Sequence, residues 1–207
     1  MAVRSEQHTS ARNSRAVYPR TRRIRFRFDE DSGRKYFVAG DTVFSHFVAG
    51  LSGAFPPGEE GFIRSVRRFA DRITDPELKK RVAGFIGQES MHGQEHRHLN
   101  EKLIAMGYPI AWWDSKGFKD RRIRFEDRLP AHVHLAVTAA AEHYTAVLAQ
   151  RVLSSDELQS IPADAEVWHL LNWHALEELE HKSVAFDVFR AVGGTERTRI
   201  TVMAAVC

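Results

Sequence analysis

Apolar positions recur at three- and four-residue spacing along most of the chain, which predicts helices, and strict alternation is confined to one short stretch. Asp41 opens a helical pattern that runs to about Ala54, where Phe55-Pro56-Pro57-Gly58 predicts a break. A second helix follows from Glu59 to about Ile73, with its acids at the N-terminus where the helix dipole favours them. Thr74-Asp75-Pro76-Glu77 supplies a cap and then a proline in the first turn, and predicts a helix to about Met106, ended by Gly107-Tyr108-Pro109. Residues 108–129 are aromatic and Arg-rich and predict a loop or short helix. Pro130 opens another helix, Ala-rich from Leu135 to Leu153. Ile161-Pro162-Ala163-Asp164 starts the last long one, which reaches about Ala191 before Gly193-Gly194. Ile200 to Cys207 read as the first turns of a helix that has been cut short. Ile24-Arg25-Phe26-Arg27-Phe28 alternates and predicts an extended segment with no partner strand.

The expected fold is therefore all-α: a bundle of four long helical units, the first split at Pro56-Pro57, with no repeat at a solenoid period. With 207 residues, 43% of them hydrophobic, the chain suits one domain with a real core. The net charge of +3 hides an asymmetry. Residues 1–28 carry eight arginines and one acid, Glu6, so this arm is about +7 and the rest about −4. The expected domain boundary falls at residue 23, with a basic, solvated and poorly ordered arm at 1–23 and a helical domain at 24–207. The arm lacks the apolar core of a secretory signal, and no run is long enough for a membrane span. A cytoplasmic protein is expected, with no specific nucleic-acid partner; peripheral contact of the basic arm with anionic lipid has nothing else in the sequence to support it. The single cysteine, Cys207, excludes a disulfide framework, a Cys-based zinc ribbon and an iron–sulfur site.

The candidate chemistry lies in Glu-x-x-His, which sets a carboxylate and an imidazole one turn apart on a helix face. Chance predicts about one such pair in a chain of this composition. Four occur: Glu89/His92, Glu95/His98, Glu166/His169 and Glu178/His181. At roughly 100° per residue the two pairs on each helix face opposite ways, so each helix can turn only one inward. Val82, Phe85, Ile86 and Leu99 favour the Glu89 side, and Leu176, Leu179 and Val184 bracket Glu178. Glu95, His98, Glu166, His169 and also His143 are expected at the surface or in an interface. Trp112, Trp113, Trp168 and Trp173 are expected as core or contact residues.

A di-metal site in a helix bundle takes one Glu from each of two helices and a Glu-x-x-His from each of the other two. Glu142 stands alone in Ala139-Ala140-Ala141-Glu142-His143-Tyr144, where a buried carboxylate needs a cation, a proton or an arginine such as Arg151. Glu59, the first choice over Glu60, supplies the fourth acid. Glu59, Glu89, Glu142 and Glu178 together balance two divalent ions, and His92 and His181 complete the set. Oxygen-rich ligation with one imidazole per ion suits iron, then manganese or zinc. His96 and His174 share these helix faces and are candidates for extra ligands, outer partners or proton carriers.

At these residues the chain resembles the ferritin-like di-iron carboxylate proteins, and more closely the bacterial family of predicted metal-dependent hydrolases. The likeness rests on Phe55-Pro56-Pro57-Gly58-Glu59, Phe85-Ile86-Gly87-Gln88-Glu89-Ser90-Met91-His92, Ala141-Glu142-His143-Tyr144 and Trp173-His174-Ala175-Leu176-Glu177-Glu178-Leu179-Glu180-His181. It covers about residues 25–200 and implies metal roles at the six residues above, with His96 and His174 as further candidates. Members of that family usually continue past this chain's end.

The leading functional expectation is oxygen-dependent oxidation of a small organic substrate, which calls for an electron donor. The alternative is hydrolysis of an ester or phosphate. The other common helical metal hydrolase design uses an adjacent His-Asp pair, which this sequence lacks. A non-catalytic role in metal storage or sensing, an interaction module with a relict site, and a homodimer complete the expectations.

Overall fold

The computed structural model describes residues 18–28 and 35–206. The disorder expected of residues 1–17 lies outside the described residues, as does Cys207.

Four long helices carry the fold: α1 (Thr42–Arg67), α2 (Pro76–Ala105), α4 (Ala131–Ser154) and α6 (Ala165–His181). Shorter helices are α3 (Lys116–Arg128), α5 (Asp156–Gln159), α7 (Val184–Ala191) and α8 (Glu196–Val206). Asp41 and Asp75 start α1 and α2 by accepting from the amides of Phe44 and Glu77. Asp164 caps α6 by accepting from Glu166 and Val167.

Two apolar clusters fix the directions of the rods. Val66, Val82, Phe85, Leu135 and Val188 meet at one end of the bundle, and Val48, Leu99, Leu103, Val167 and Leu170 at the other. Hence α1 and α6 run one way and α2 and α4 the other. Because α2 finishes at the end opposite to where α4 begins, residues 106–130 must cross the length of the bundle. They do so as a single turn of 3₁₀ helix (Ala111–Asp114) and α3, both packed on α1. The loop or short helix expected at 108–129 is thus this crossover. Among its ties, buried Glu126 accepts from Arg64 and Arg122. Burial works against the Glu126 carboxylate, yet the two guanidinium groups hold its pKa below the ordinary value.

Two expectations are corrected. The first helix is not split: α1 runs unbroken through Pro56 and Pro57. Pro56 has no N–H for the carbonyl of Ser52, and the Asn100 amide of α2 supplies the missing donor at 3.0 Å. The last long helix does break, after His181. Ser183 sits between Arg81 and Asp187, accepting from the former and donating to the latter, and α7 restarts from there.

The described part of the basic arm, residues 18–28, lies on the bundle. Residues 21–28 alternate between exposed and half-buried, with Ile24, Phe26 and Phe28 turned inward. This is the period-two pattern read from the sequence, held by side chains rather than by a partner strand. Helix α2 makes room for it with glycines: a Cβ at Gly84 would stand 2.1 Å from the Pro19 carbonyl oxygen, and one at Gly87 1.9 Å from Thr21 Oγ1.

Candidate metal centre

Midway between the apolar clusters the four long helices bring together the six residues named from the sequence. Glu59 comes from α1, Glu89 and His92 from α2, Glu142 from α4, and Glu178 and His181 from α6. All six are buried. His181 Nε2 lies 3.0 Å from Glu89 Oε1, 3.4 Å from Glu142 Oε2 and 3.3 Å from Glu178 Oε1. Three overlapping groups have donor atoms close enough to share a cation: Glu59, His92 and His174; Glu89, Glu142 and His181; Glu89, His92 and Glu178. Glu60 is not among them and pairs instead with Arg97. Glu142 meets His181, so its company is the cluster and not Arg151.

The donor set fits cations on a direct observation. Both carboxylate oxygens of Glu59, Glu89 and Glu142, together with Glu178 Oε2, His92 Nδ1 and His181 Nε2, are buried without a hydrogen bond. So many orphaned acceptors in one place carry a desolvation cost that hard cations would offset. Without cations, protons must do the same. Burial, with neighbouring carboxylates, holds the carboxyls of Glu59 and Glu142 well above their ordinary value, and burial lifts Glu89 against the pull of His181. Burial opposes charge on Glu178 and His181 as well, but these two form an ion pair: His181 pulls the Glu178 pKa well down, and Glu178 and Glu142 hold His181 well up.

Each histidine is aimed by a partner behind it. His181 Nδ1 lies 2.9 Å from Gln88 Oε1, and the Gln88 amide in turn donates to Glu180 and to the Arg20 carbonyl. That fixes Gln88 Oε1 as the acceptor and turns His181 Nε2 to the cluster. His92 Nε2 lies 3.1 Å from Glu177 Oε2, which leaves Nδ1 for the cluster, 3.7 Å from Glu178 Oε1. Burial, with His174 beside it, pushes the His92 pKa well down, so this ring is neutral. Both supports end on one arm residue. Arg22 donates to Glu177 at 2.8 Å and grips Glu180 through two bonds at 2.8 and 2.6 Å.

His174 is aimed by a longer relay. Asn100 spends its amide on the Ser52 carbonyl, so its oxygen accepts from the Ser52 hydroxyl at 2.7 Å. Ser52 Oγ then accepts from His96 Nδ1 at 2.9 Å, and His96 Nε2 accepts from His174 Nδ1 at 2.8 Å. Burial drives the His96 pKa well down, which keeps that ring neutral. The relay therefore places a hydrogen on His174 Nδ1 and turns Nε2 to the cluster, where it lies 3.1 Å from Glu178 Oε1 and 3.7 Å from Glu59 Oε1. A ring nitrogen and two carboxylate oxygens converging in a dry place need a proton or a cation between them. Of the two further histidines, His174 thus reaches the cluster, while His96 stands behind it.

The outward pairs have a different task. Fully buried Glu95 accepts from the Phe26 amide and from Arg25, and Glu166 accepts from the Arg27 amide. His98 and His169 sit beside these acids. The interface expected for them is the one with the arm. Gln88, Glu177, Glu180 and Arg22 were missed by sequence reasoning. The one available signal was the alternation at 21–28, which turns Arg22 to the same side as Ile24 and Phe26.

A family model described as predicted metal-dependent hydrolase matches residues 20–207, a span that takes in the arm from Arg20 onward and every residue of the cluster. Neither the curated proteins nor the solved structures give a match. Among the described residues no helix is long and apolar enough to cross a membrane.

Proposed function

The chain belongs to the predicted metal-dependent hydrolases, and from that premise we propose that it hydrolyses a carboxylic ester at a pair of divalent cations. Glu59, His92 and His174 would hold one cation and Glu89, Glu142 and His181 the other, with Glu178 close to both groups. The observation that carries this reading is the set of buried, hydrogen-bond-free carboxylate oxygens and ring nitrogens turned on one another. Mixed oxygen and imidazole donors suit iron or manganese, and zinc next. Such ions polarise a carbonyl and lower the pKa of a bound water.

The protein's own groups do the rest. The relay from Asn100 to His174 holds one ring with Nε2 on the cluster, and Gln88 does the same for His181. Glu177 accepts a hydrogen bond from His92 Nε2 and so keeps Nδ1 turned to the cluster. A cavity beside His174 and Glu178 is lined by apolar side chains and carries no lysine or arginine. That lining favours a neutral ester over a phosphate, which would need a cationic wall.

The test is turnover of a simple ester series under argon by protein loaded with manganese, zinc or ferrous iron, against chelated protein. Hydrolysis that follows metal content is expected. Esters left intact by fully loaded protein would overturn the proposal.

A second reading has its own support. The order of one Glu-bearing helix and one Glu-x-x-His helix, occurring twice and joined by a single long crossover, resembles that of ferritin-like di-iron proteins. Under it the same residues would hold iron for oxygen-dependent oxidation, fed by an electron donor. Oxygen consumption by the ferrous protein, with no anaerobic turnover, would favour it over hydrolysis.

A further inference from the structure

We infer that the substrate of this site is an unbranched aliphatic chain ending in a small polar group, threaded along α1 with that group at His174 and Glu178. The inference rests on the proposed hydrolase reading for its chemistry, but its geometry stands apart from it. A cavity of about 240 Å³ lies between α1, α4 and α6. Its wall on α1 runs from Phe44 to Phe55, eleven helical rises or about 16 Å. The space is therefore long. Its inner end is Phe55, whose ring lies 4.5 Å from that of His174. Toward the outside, Phe47 and Leu148 border the cavity and are 56% and 42% exposed.

The wall offers almost nothing to a polar ligand. Thr145 lends its hydroxyl hydrogen to the Glu142 carbonyl, and Trp168 donates its ring N–H to the Ile161 carbonyl. What remains for a ligand's polar group is the inner end, His174 and Glu178. A sugar or nucleotide would give up hydrogen bonds to water along the whole tunnel and recover none. An alkyl chain gains instead, by about fourfold in affinity per buried methylene. Since the polar group must pass the apolar wall to reach the cluster, it has to be small, such as the ester of a short alcohol. In the reaction the water oxygen ends on the acyl carbon, the acyl carbon–oxygen bond breaks, and the departing alcohol takes the water's proton.

The experiment is calorimetric binding of butyrate, octanoate and dodecanoate to the metal-loaded chain, with the methyl esters of the same acids assayed under argon beside it. Affinity should climb with chain length and level off once the tunnel is full. Leu51→Trp, which blocks the middle of the tunnel, should weaken dodecanoate at least tenfold and leave butyrate and bound metal unchanged. Val152→Trp, on the opposite wall, is the second variant should the first fail to fold. Affinity independent of chain length, or no binding by the metallated protein, overturns the inference. Length-dependent binding without ester cleavage keeps it and removes the hydrolase reading; cleavage with no dependence on length does the reverse.

Discussion

Pro56 and Asn100 are joined through one carbonyl. The proline deprives Ser52 O of its helical donor, and the Asn100 amide, from the neighbouring helix, replaces it at 3.0 Å. That single bond decides which end of the Asn100 side chain faces Ser52 Oγ. Through Ser52 and His96 it then decides which nitrogen of His174 carries the hydrogen that points away from the cluster. An interruption in one helix thus sets a proton position beside the candidate metals.

Asn100→Leu should lower metal affinity by about 10- to 100-fold, as loss of an outer partner does in other metal sites. It should also cost about 1–3 kcal/mol of stability for the orphaned Ser52 carbonyl. Adding Pro56→Ala restores a helical N–H to that carbonyl. The double variant should regain stability in denaturant melts but not metal affinity in titrations. Recovery of both would mean that the relay does not orient His174.

Arg22→Gln should weaken metal binding more than any other single change in the described arm, because Arg22 alone backs both Glu177 and Glu180. A loss of about tenfold is expected, against none for its exposed neighbour in Arg23→Gln. Equal metal affinity in the two variants, measured by competition with a chelator, would detach the arm from the centre.

Gly87→Ala should act on the centre without touching it. The added methyl collides with Thr21 and must lift the arm. Faster proteolysis of residues 18–28 and a metal affinity close to that of Arg22→Gln are expected. An arm as protected as in the parent would show that Thr21 simply steps aside.

The metal-free protein should lose stability as pH rises above about 6.5. Glu59, Glu142 and Glu89 are held above the carboxylate value of 4.5, and His181 above the imidazole value of 6.5. Above 6.5 the folded chain therefore keeps protons that the unfolded chain has released, and rising pH favours unfolding. His92 and His96 are shifted the other way, but their contribution grows only as pH climbs toward 6.5 and is complete beyond it. Depressed Glu178 acts below 4.5. Melting temperatures of chelated protein between pH about 6.5 and 8.5 should fall, and saturating manganese should flatten or reverse the slope. A flat profile in chelator would contradict the proton-filled cluster.

Helix starts were legible because Asp41, Asp75 and Asp164 are caps whose partners lie two or three residues away. The inward Glu-x-x-His pairs were legible because helical phase is a local property. What was hidden depends on distant partners. Pro56-Pro57 reads as a break until Asn100, forty-four positions on, is seen to supply the lost donor. The stop after His181 has neither glycine nor proline and is held by Arg81, a hundred residues earlier. Glu177 and Glu180 look like ordinary helix acids until Arg22 is laid across them.

The central claim is that inward-facing carboxylates and imidazoles from four helices enclose a pair of cations. Anomalous scattering from crystals grown with manganese or iron tests it most directly, with Glu142→Ala and Glu166→Ala beside the parent. Two peaks are expected in the parent, one among Glu59, His92 and His174 and one among Glu89, Glu142 and His181. The second peak should fade in Glu142→Ala, and both should persist in Glu166→Ala. Metal bound elsewhere, or a cluster that stays free of it at saturating concentration, would contradict the account.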